Sequence, residues 1–175
     1  MDNHFDLFQM PARFAIDAVQ LDAAYRELQG RVHPDKFASA SDAEKRIAMQ
    51  WATRANEAYK TLKNPLRRAA YLCELHGVDL GIESNTTMPL AFLMQQMEWR
   101  ESLDEARSDR DTVRLQALEQ ALNDARREAI ARIAELLEQS KFSEAGEQVR
   151  ELMFVEKFGD EIANTFEALE ACTLR

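Results

Sequence analysis

Helical periodicity is the feature that most constrains the fold of this chain of 175 residues. Apolar residues recur every three or four positions, which is the spacing that places them on one face of an α-helix. The longest of these stripes contains Leu115, Leu118, Leu122, Ala125, Ala129, Ile133 and Leu136. No segment shows the alternating pattern of a strand, and the chain has only five glycines and four prolines, whereas an all-β fold needs many turns. The sequence therefore predicts an all-α protein.

Start and stop signals predict that the first part of the chain is a helical hairpin with short flanking helices. We expect Asp17 to cap a helix that continues to about Val32, and Ser41 to open a capping box at the start of a long second helix. Asn64 ends that helix, and Pro65 fits the first position of the next one. The predicted inner face of the long helix, and hence part of the core, consists of Ile47, Trp51, Ala55, Ala58 and Leu62.

The rest of the chain predicts a linker followed by a three-helix bundle. Residues 77–88 include glycine, serine, asparagine and threonine, a composition typical of a linker. Helical patterns then cover residues 89–107, 111–139 and 143–170. We therefore expect two domains, 1–76 and 89–175, joined by that linker.

Charge is distributed unevenly between the two predicted domains. Residues 1–76 carry 11 Lys+Arg and 10 Asp+Glu, whereas residues 77–175 carry 11 and 21. The acidic second part would repel a phosphate backbone, so nucleic acid is not an expected partner. A basic protein surface or a metal-handling partner would be attracted to it, although the same charge also fits an ordinary solvated helical surface.

The sequence lacks the usual marks of metal, nucleotide and membrane sites. Cys73 and Cys172 lie far apart and form no Cys-x-x-Cys, so we expect neither a disulfide framework nor a metal site. No Gly-rich phosphate loop, no run of about 18 apolar residues and no signal-peptide pattern is present. We therefore expect a cytoplasmic protein that has no cofactor, does not contact a membrane and is not an enzyme.

The tripeptide His33-Pro34-Asp35 separates the two helices of the predicted hairpin. Pro34 fixes its backbone angle φ and stiffens the turn, so Asp35 loses little freedom when a partner binds. A carboxylate held out in this way can pair bidentately with an arginine. His33 fits a role in ordering the turn better than one in acid–base catalysis, since no nucleophile or second base accompanies it.

Together with its flanking helices and with residues 56–62 (Asn-Glu-Ala-Tyr-Lys-Thr-Leu), this turn resembles the J-domain. J-domains are the modules by which DnaJ-type co-chaperones activate DnaK-type ATPase chaperones. The resemblance implies that His33, Pro34 and Asp35 bind the chaperone. For Arg26 and Arg31 on the preceding helix two interpretations are open: docking on an acidic chaperone surface as part of the same chaperone-binding set, or ordinary solvated helix charges. The first helix is less basic than in a general J-domain, because Asp22 and Glu27 dilute its positive charge.

The downstream sequence narrows the resemblance to one family. No Gly/Phe-rich linker and no cysteine-rich zinc region follows residue 76. From Phe5 to about Leu169, and most specifically over residues 33–37, 65–80 and 91–105, the chain resembles the HscB family of co-chaperones in bacterial iron–sulfur cluster assembly. That resemblance implies two partners, the DnaK-like chaperone HscA and the cluster scaffold IscU. It also implies stimulation of HscA ATP hydrolysis through the His-Pro-Asp turn.

The first helix of the predicted bundle carries two separate sets of apolar residues. Phe92, Trp99 and Leu103 fall on one face, which we expect to be the core. A second stripe contains Leu93, Met94, Met97, Glu98, Glu101 and Glu105. Spacing alone leaves two interpretations open for it: a partner site, with adaptable methionines and glutamates that steer a basic partner, or packing against another part of the chain.

The resemblance assigns this stripe to scaffold binding, together with Phe154 on the last helix, although Phe154 also fits an ordinary core position. Two other functions are considered. The chain could be a J-domain co-chaperone for a different client, with the bundle as a general interaction module. It could also be an enzyme that uses His33, Asp35 and a glutamate, which the missing companion groups and the acidic helices argue against.

Overall fold

The computed structural model describes residues 3–37, 40–81 and 88–173. The chain divides into two compact units, Met1–His76 and Gly77–Arg175. Every regular element in the described ranges is helical, so the all-α prediction is confirmed. Within this part of the chain, no helix is long and apolar enough to cross a membrane.

The described residues of the first unit form four α-helices and one short 3-10 helix. In chain order these are α1 (His4–Leu7), α2 (Ala18–Val32), the 3-10 helix (Pro34–Phe37), α3 (Asp42–Lys63) and α4 (Pro65–Leu75). The Asp17 side chain caps α2, and Ser41 with Glu44 forms the predicted capping box at the start of α3. Asn64 caps α4, whose first residue is Pro65. The start and stop signals in the sequence are therefore confirmed.

A polar brace joins α2 to α3 and fixes the hairpin. The Tyr25 hydroxyl donates to Asn56 Oδ1 at 2.7 Å, and the Tyr25 and Tyr59 rings stack with centroids 4.0 Å apart. The Tyr59 hydroxyl and the Lys63 ammonium both donate to Asp22 Oδ1, at 2.9 and 2.6 Å. Hydrogen bonds that link side chains from both helices hold α2 and α3 against each other.

The predicted inner face of α3 is only partly buried. Ala55, Ala58 and Leu62 are fully buried, but Ile47 is 54% exposed and Trp51 is 40% exposed. The prediction that Trp51 and Ile47 belong to the core is therefore wrong. Ala48, next to Ile47 in sequence but about 100° around the helix, is 4% exposed, so the first half of α3 is covered on a side that Ile47 does not face.

The second unit is the predicted three-helix bundle. Its helices are α5 (Leu90–Asp109), α6 (Thr112–Glu138) and α7 (Phe142–Thr173). The Asp111 side chain caps α6 by accepting a hydrogen bond from the Arg114 N–H at 2.9 Å. The largest fully buried side chains of this unit are Leu103, Leu115, Ile133, Leu152, Phe158 and Ile162.

Part of the predicted linker is packed against this bundle. Leu80 is only 3% exposed, and a Cβ atom at Gly146 of α7 would lie 2.9 Å from Val78 Cγ1. Glycine at position 146 thus lets Val78 and Leu80 approach the α7 backbone. Residues 82–87 of the predicted linker lie outside the described residues.

Candidate functional site

The turn between α2 and α3 is organised by its own hydrogen bonds. His33 ends α2, and Pro34–Phe37 form one turn of 3-10 helix. The Lys36 N–H donates to the His33 carbonyl at 3.0 Å, and the Asp35 N–H donates to His33 Nδ1 at 3.3 Å. The His33 ring therefore orders the turn, as the sequence analysis predicts. The side chain of Pro34 is not among those that the structure describes.

Asp35 is a highly accessible functional group of this turn. Its side chain is 90% exposed, compared with 52% for His33, and its Oδ2 lies 3.6 Å from His33 Nδ1. A carboxylate in this position can accept two hydrogen bonds from a partner guanidinium without first breaking a contact that is deeply buried. The exposed position of the Asp35 carboxylate therefore suits binding to a partner arginine.

Arg26 and Arg31 are both exposed but lie on different edges of α2. Five residues apart on an α-helix, they point about 140° away from each other. Hydrogen bonds from Lys63 and Tyr59 lower the pKa of Asp22, so its negative charge is already engaged inside the hairpin. Asp22 therefore dilutes the positive charge of α2 less than the sequence suggests. Glu27, the other acidic residue of this helix, lines a surface groove beside Arg31.

The two apolar faces predicted for α5 are separate in the structure. On the core face, Trp99 is 6% exposed and Leu103 is 1% exposed. On the other face, Leu93 is 39% exposed, Met94 56% and Met97 71%. Leu93, Met94 and Met97 are thus available to a partner, since Trp99 and Leu103 are the residues of α5 that pack into the core of the bundle.

The acidic residues beside this face differ in how far they are already engaged. Glu98, Glu101 and Glu105 are all exposed. Glu105 forms an ion pair with Arg114 of α6, and Glu98 accepts a hydrogen bond from the Gln95 amide at 3.2 Å. Glu101 lies between them along the helix, and of the three we expect it to attract a basic partner most strongly.

Phe154 of α7 is half-buried in an aromatic cluster next to α5. Its ring meets Phe92 edge-on at 5.8 Å and stacks on Phe158 at 6.0 Å. The Arg100 guanidinium lies 5.7 Å from the Phe154 ring centroid and 3.6 Å from Glu161. Arg100 is not among the residues predicted from the sequence, although its position seven residues after Leu93 puts it about 20° from that residue on the helix.

Comparison with known proteins covers nearly the whole chain. The family model described as the HscB C-terminal oligomerisation domain matches residues 88–163. The curated co-chaperone protein HscB homolog of Burkholderia multivorans is 56% identical over 169 residues, which cover 97% of each chain. The chain belongs to the HscB co-chaperone family.

Solved structures of two HscB proteins share this fold. HscB from Vibrio cholerae is 37% identical, with a TM-score of 0.85 over 96% of this chain and 99% of its own. The crystal structure of human HscB gives a TM-score of 0.88 at 30% identity, over 93% of this chain and 81% of its own. The fold of the HscB family, a J-domain followed by a helical C-terminal domain, is thus confirmed for this chain.

In this HscB family member, the free cysteine among the described residues is Cys73. Cys73 is fully buried, and burial raises the pKa of its thiol to about 11. A thiol in this state is a poor nucleophile and a poor metal ligand. Within the described ranges, no group of three or more His, Cys, Asp or Glu residues is placed to hold a metal ion. The side chain of Cys172 lies outside the described part of the chain.

Proposed function

We propose that this chain is the co-chaperone that binds the iron–sulfur scaffold IscU and delivers it to the DnaK-like chaperone HscA. In this proposal the chain stimulates HscA ATP hydrolysis through its His-Pro-Asp turn. The observation that carries the proposal is the turn itself. Asp35 is 90% exposed on a hydrogen-bonded 3-10 helix, and the two helices beside it are braced together.

The chaperone step follows from this preorganised carboxylate. Because the turn is already ordered, Asp35 loses little conformational freedom when it pairs with an arginine of the ATPase domain. The hydrolysis belongs to the chaperone, and the co-chaperone acts by favouring the chaperone conformation that hydrolyses ATP. Arg26 and Arg31, on the two edges of α2, would steer an acidic chaperone surface toward the turn.

The scaffold step uses the exposed face of α5. Leu93, Met94 and Met97 offer an apolar surface that adapts to its partner, since methionine side chains are unbranched and flexible. Glu98, Glu101 and Glu105 border it and favour a basic scaffold surface. Phe154 would extend the contact onto α7.

The experiment that tests this proposal is an assay of HscA ATPase activity with the chain added, in the presence and absence of IscU. We expect Asp35→Asn to remove the stimulation while the melting temperature stays unchanged, because an exposed turn carboxylate adds little to stability. Glu74→Gln, which alters an exposed carboxylate on α4, is the matched control and should stimulate normally. Full stimulation by Asp35→Asn would overturn the chaperone step.

The assay also separates this function from that of a co-chaperone with a different client. If IscU is the client, adding it should increase the stimulation beyond that given by the chain alone. If IscU neither binds nor changes the rate, the bundle serves another client. A cytoplasmic location is part of the same proposal, and cell fractionation would check it.

A further inference from the structure

Arg100 is a cation at the border of the acidic and apolar face of α5. Residues 93–105 contain four acidic side chains and this one arginine. Around the helix, Arg100 points about 20° away from Leu93 and about 60° away from Met97. An uncompensated cation at this place would repel the basic scaffold surface that the glutamates attract. Attraction of a basic partner therefore does not account for Arg100.

The contacts of Arg100 cross from α5 to α7. Its guanidinium carbon lies 5.7 Å from the centroid of the Phe154 ring and 5.7 Å from that of the Phe158 ring. Its Nη1 atom lies 3.6 Å from Oε2 of Glu161. The Glu161 carboxylate balances the positive charge locally, and the two rings attract the guanidinium by cation–π interaction. Arg100 is thus held by three side chains of the other helix.

The two rings beside Arg100 differ in how firmly they are packed. Phe158 is 1% exposed and stacks on Trp99 with centroids 6.1 Å apart. Phe154 is half-buried, with Phe158 on one side and the edge of Phe92 on another. A half-buried side chain keeps rotational freedom, and a partner that fixes it on binding loses affinity as a result. Phe154 is therefore the ring whose position a neighbouring cation can control.

We infer that Arg100 is a positioning residue of the scaffold contact, which holds the Phe154 ring in place at the edge of the α5 face. This inference rests on the proposed function. With the ring held, the apolar surface continues from Leu93 and Met97 on α5 to Phe154 on α7 before the scaffold binds. Fixing one aromatic side chain in advance should strengthen scaffold binding about threefold to tenfold.

The sign of one substitution separates this role from a general effect of charge. Arg100→Met removes the cation and keeps a long apolar side chain, so the face becomes more acidic and more apolar. By charge alone, a basic scaffold should then bind more tightly. If Arg100 positions Phe154, IscU should instead bind about threefold to tenfold more weakly. Isothermal titration calorimetry with the full chain measures the change, and equal or tighter binding would overturn the inference.

Two further substitutions serve as rescue and control. Arg100→Lys keeps a cation near the rings and should bind IscU more tightly than Arg100→Met does. Arg132→Met is the matched control, because Arg132 of α6 lies 3.6 Å from Glu135 and is 59% exposed, compared with 53% for Arg100. It should bind IscU at least as tightly as the wild type. A loss in Arg132→Met equal to that in Arg100→Met would overturn the inference.

A double-mutant cycle separates positioning from a direct contact with the scaffold. Phe154→Leu removes the ring and should itself weaken IscU binding. If Arg100 acts through Phe154, adding Arg100→Met to Phe154→Leu should cause little further loss. Additive losses would mean that Arg100 acts independently of the ring and would overturn the inference, as would normal binding by Phe154→Leu.

The position of the Phe154 ring can also be followed without a partner. In the full chain labelled with 4-fluorophenylalanine, the ¹⁹F signal of Phe154 is assigned by its absence from the Phe154→Leu variant. This signal should shift or broaden in Arg100→Met and stay in place in Arg132→Met. An unchanged signal in Arg100→Met would overturn the inference.

The outcomes separate this inference from the function on which it rests. If IscU binds the wild type and Arg100→Met equally well, the inference is wrong and the proposed function stands. If IscU does not bind the wild-type chain, the proposed scaffold function is wrong and the inference falls with it.

Discussion

The exposed apolar residues of α3 and α5 look alike in the structure but differ in how the sequence reports them. Ile47 and Trp51 of α3 and Leu93 and Met97 of α5 are all between 39% and 71% exposed. On α5, Trp99 and Leu103 already form a core face, and the spacing places Leu93 and Met97 on a different side of the helix. Those on α3 continue the line of Ala55 and Leu62, so spacing predicts them to be buried.

The difference shows what a helical pattern does and does not contain. The pattern gives the direction in which each side chain points around its helix. It does not say over what length of the helix a neighbouring element covers that direction. On the first half of α3 the cover lies on the side of Ala48, which is 4% exposed, whereas Trp51, about 60° around the helix from it, is 40% exposed. Exposure on α3 is therefore a tertiary property.

The first prediction tests whether the two ends of α3 differ in burial, by truncating two residues that the helical pattern treats as equivalent. Leu62→Ala removes a fully buried side chain and should lower the free energy of unfolding by about 2–5 kcal/mol. Ile47→Ala, on the predicted inner face of the same helix, should change it by less than about 1 kcal/mol, because its side chain is already half in water. Urea denaturation measures both.

Equal destabilisation by the two variants would mean that Ile47 is covered in solution, and the structural difference between the two ends of α3 would then be absent. Met49→Ala provides the background value for an exposed residue on α3.

The second prediction sharpens the comparison on α5, where the effect should appear in binding. Leu93→Ala combined with Met97→Ala should melt close to the wild type, because both side chains are exposed. The same double variant should lose affinity for IscU, by more than about 1 kcal/mol if either residue is a hot spot. Isothermal titration calorimetry with IscU measures the loss.

Leu103→Ala is the matched control on the core face of α5 and should show the opposite result, with stability lost. Normal scaffold binding by the double variant would contradict the assignment of this face. Among the acidic residues, Glu101→Gln should slow association more than Glu105→Gln, since Arg114 already pairs with Glu105.

Local signals in the sequence predicted most of the fold. Asp17, Ser41 and Asn64 cap the helices as their residue types suggest, and the three helices of the bundle begin and end within about three residues of their predicted bounds. Caps and periodicity depend on residues that are close in sequence, so one sequence is enough to find them.

Contacts between distant residues could not be predicted in the same way. Arg114 binds Glu105 across two helices, and Arg100 covers Phe154 of α7. From the sequence both arginines would be interpreted as ordinary solvated charges, because no local pattern predicts which side chain of another helix lies opposite them. The sequence thus predicts candidate residues one by one, whereas the contacts of these residues with other helices are seen only in the structure.

The third and smallest prediction concerns pH and begins with His4 in the first unit. The His4 ring stacks on Tyr71 at 4.3 Å, and burial lowers its pKa below the usual value of 6.5. The Arg54 charge acts in the same direction, while Glu57 opposes both. The unfolded chain therefore binds a proton at a higher pH than the folded chain does. The first unit should lose stability as pH falls below about 6.5 toward the lowered pKa.

The second unit should respond in the opposite direction, since all three histidines lie in residues 1–76 and its shifted group is a carboxyl. Burial raises the pKa of Glu151, with a further increase from Glu147, while Gln148 and Arg150 act against it. The folded unit thus binds a proton before the unfolded chain does, and it should gain stability as pH falls through the raised pKa.

Urea denaturation at several pH values, followed by the fluorescence of Trp51 in the first unit and Trp99 in the second, measures how the stability of each unit changes with pH. His4→Gln should flatten the first slope and Glu151→Gln the second, and slopes of the same sign for both tryptophans would contradict the prediction.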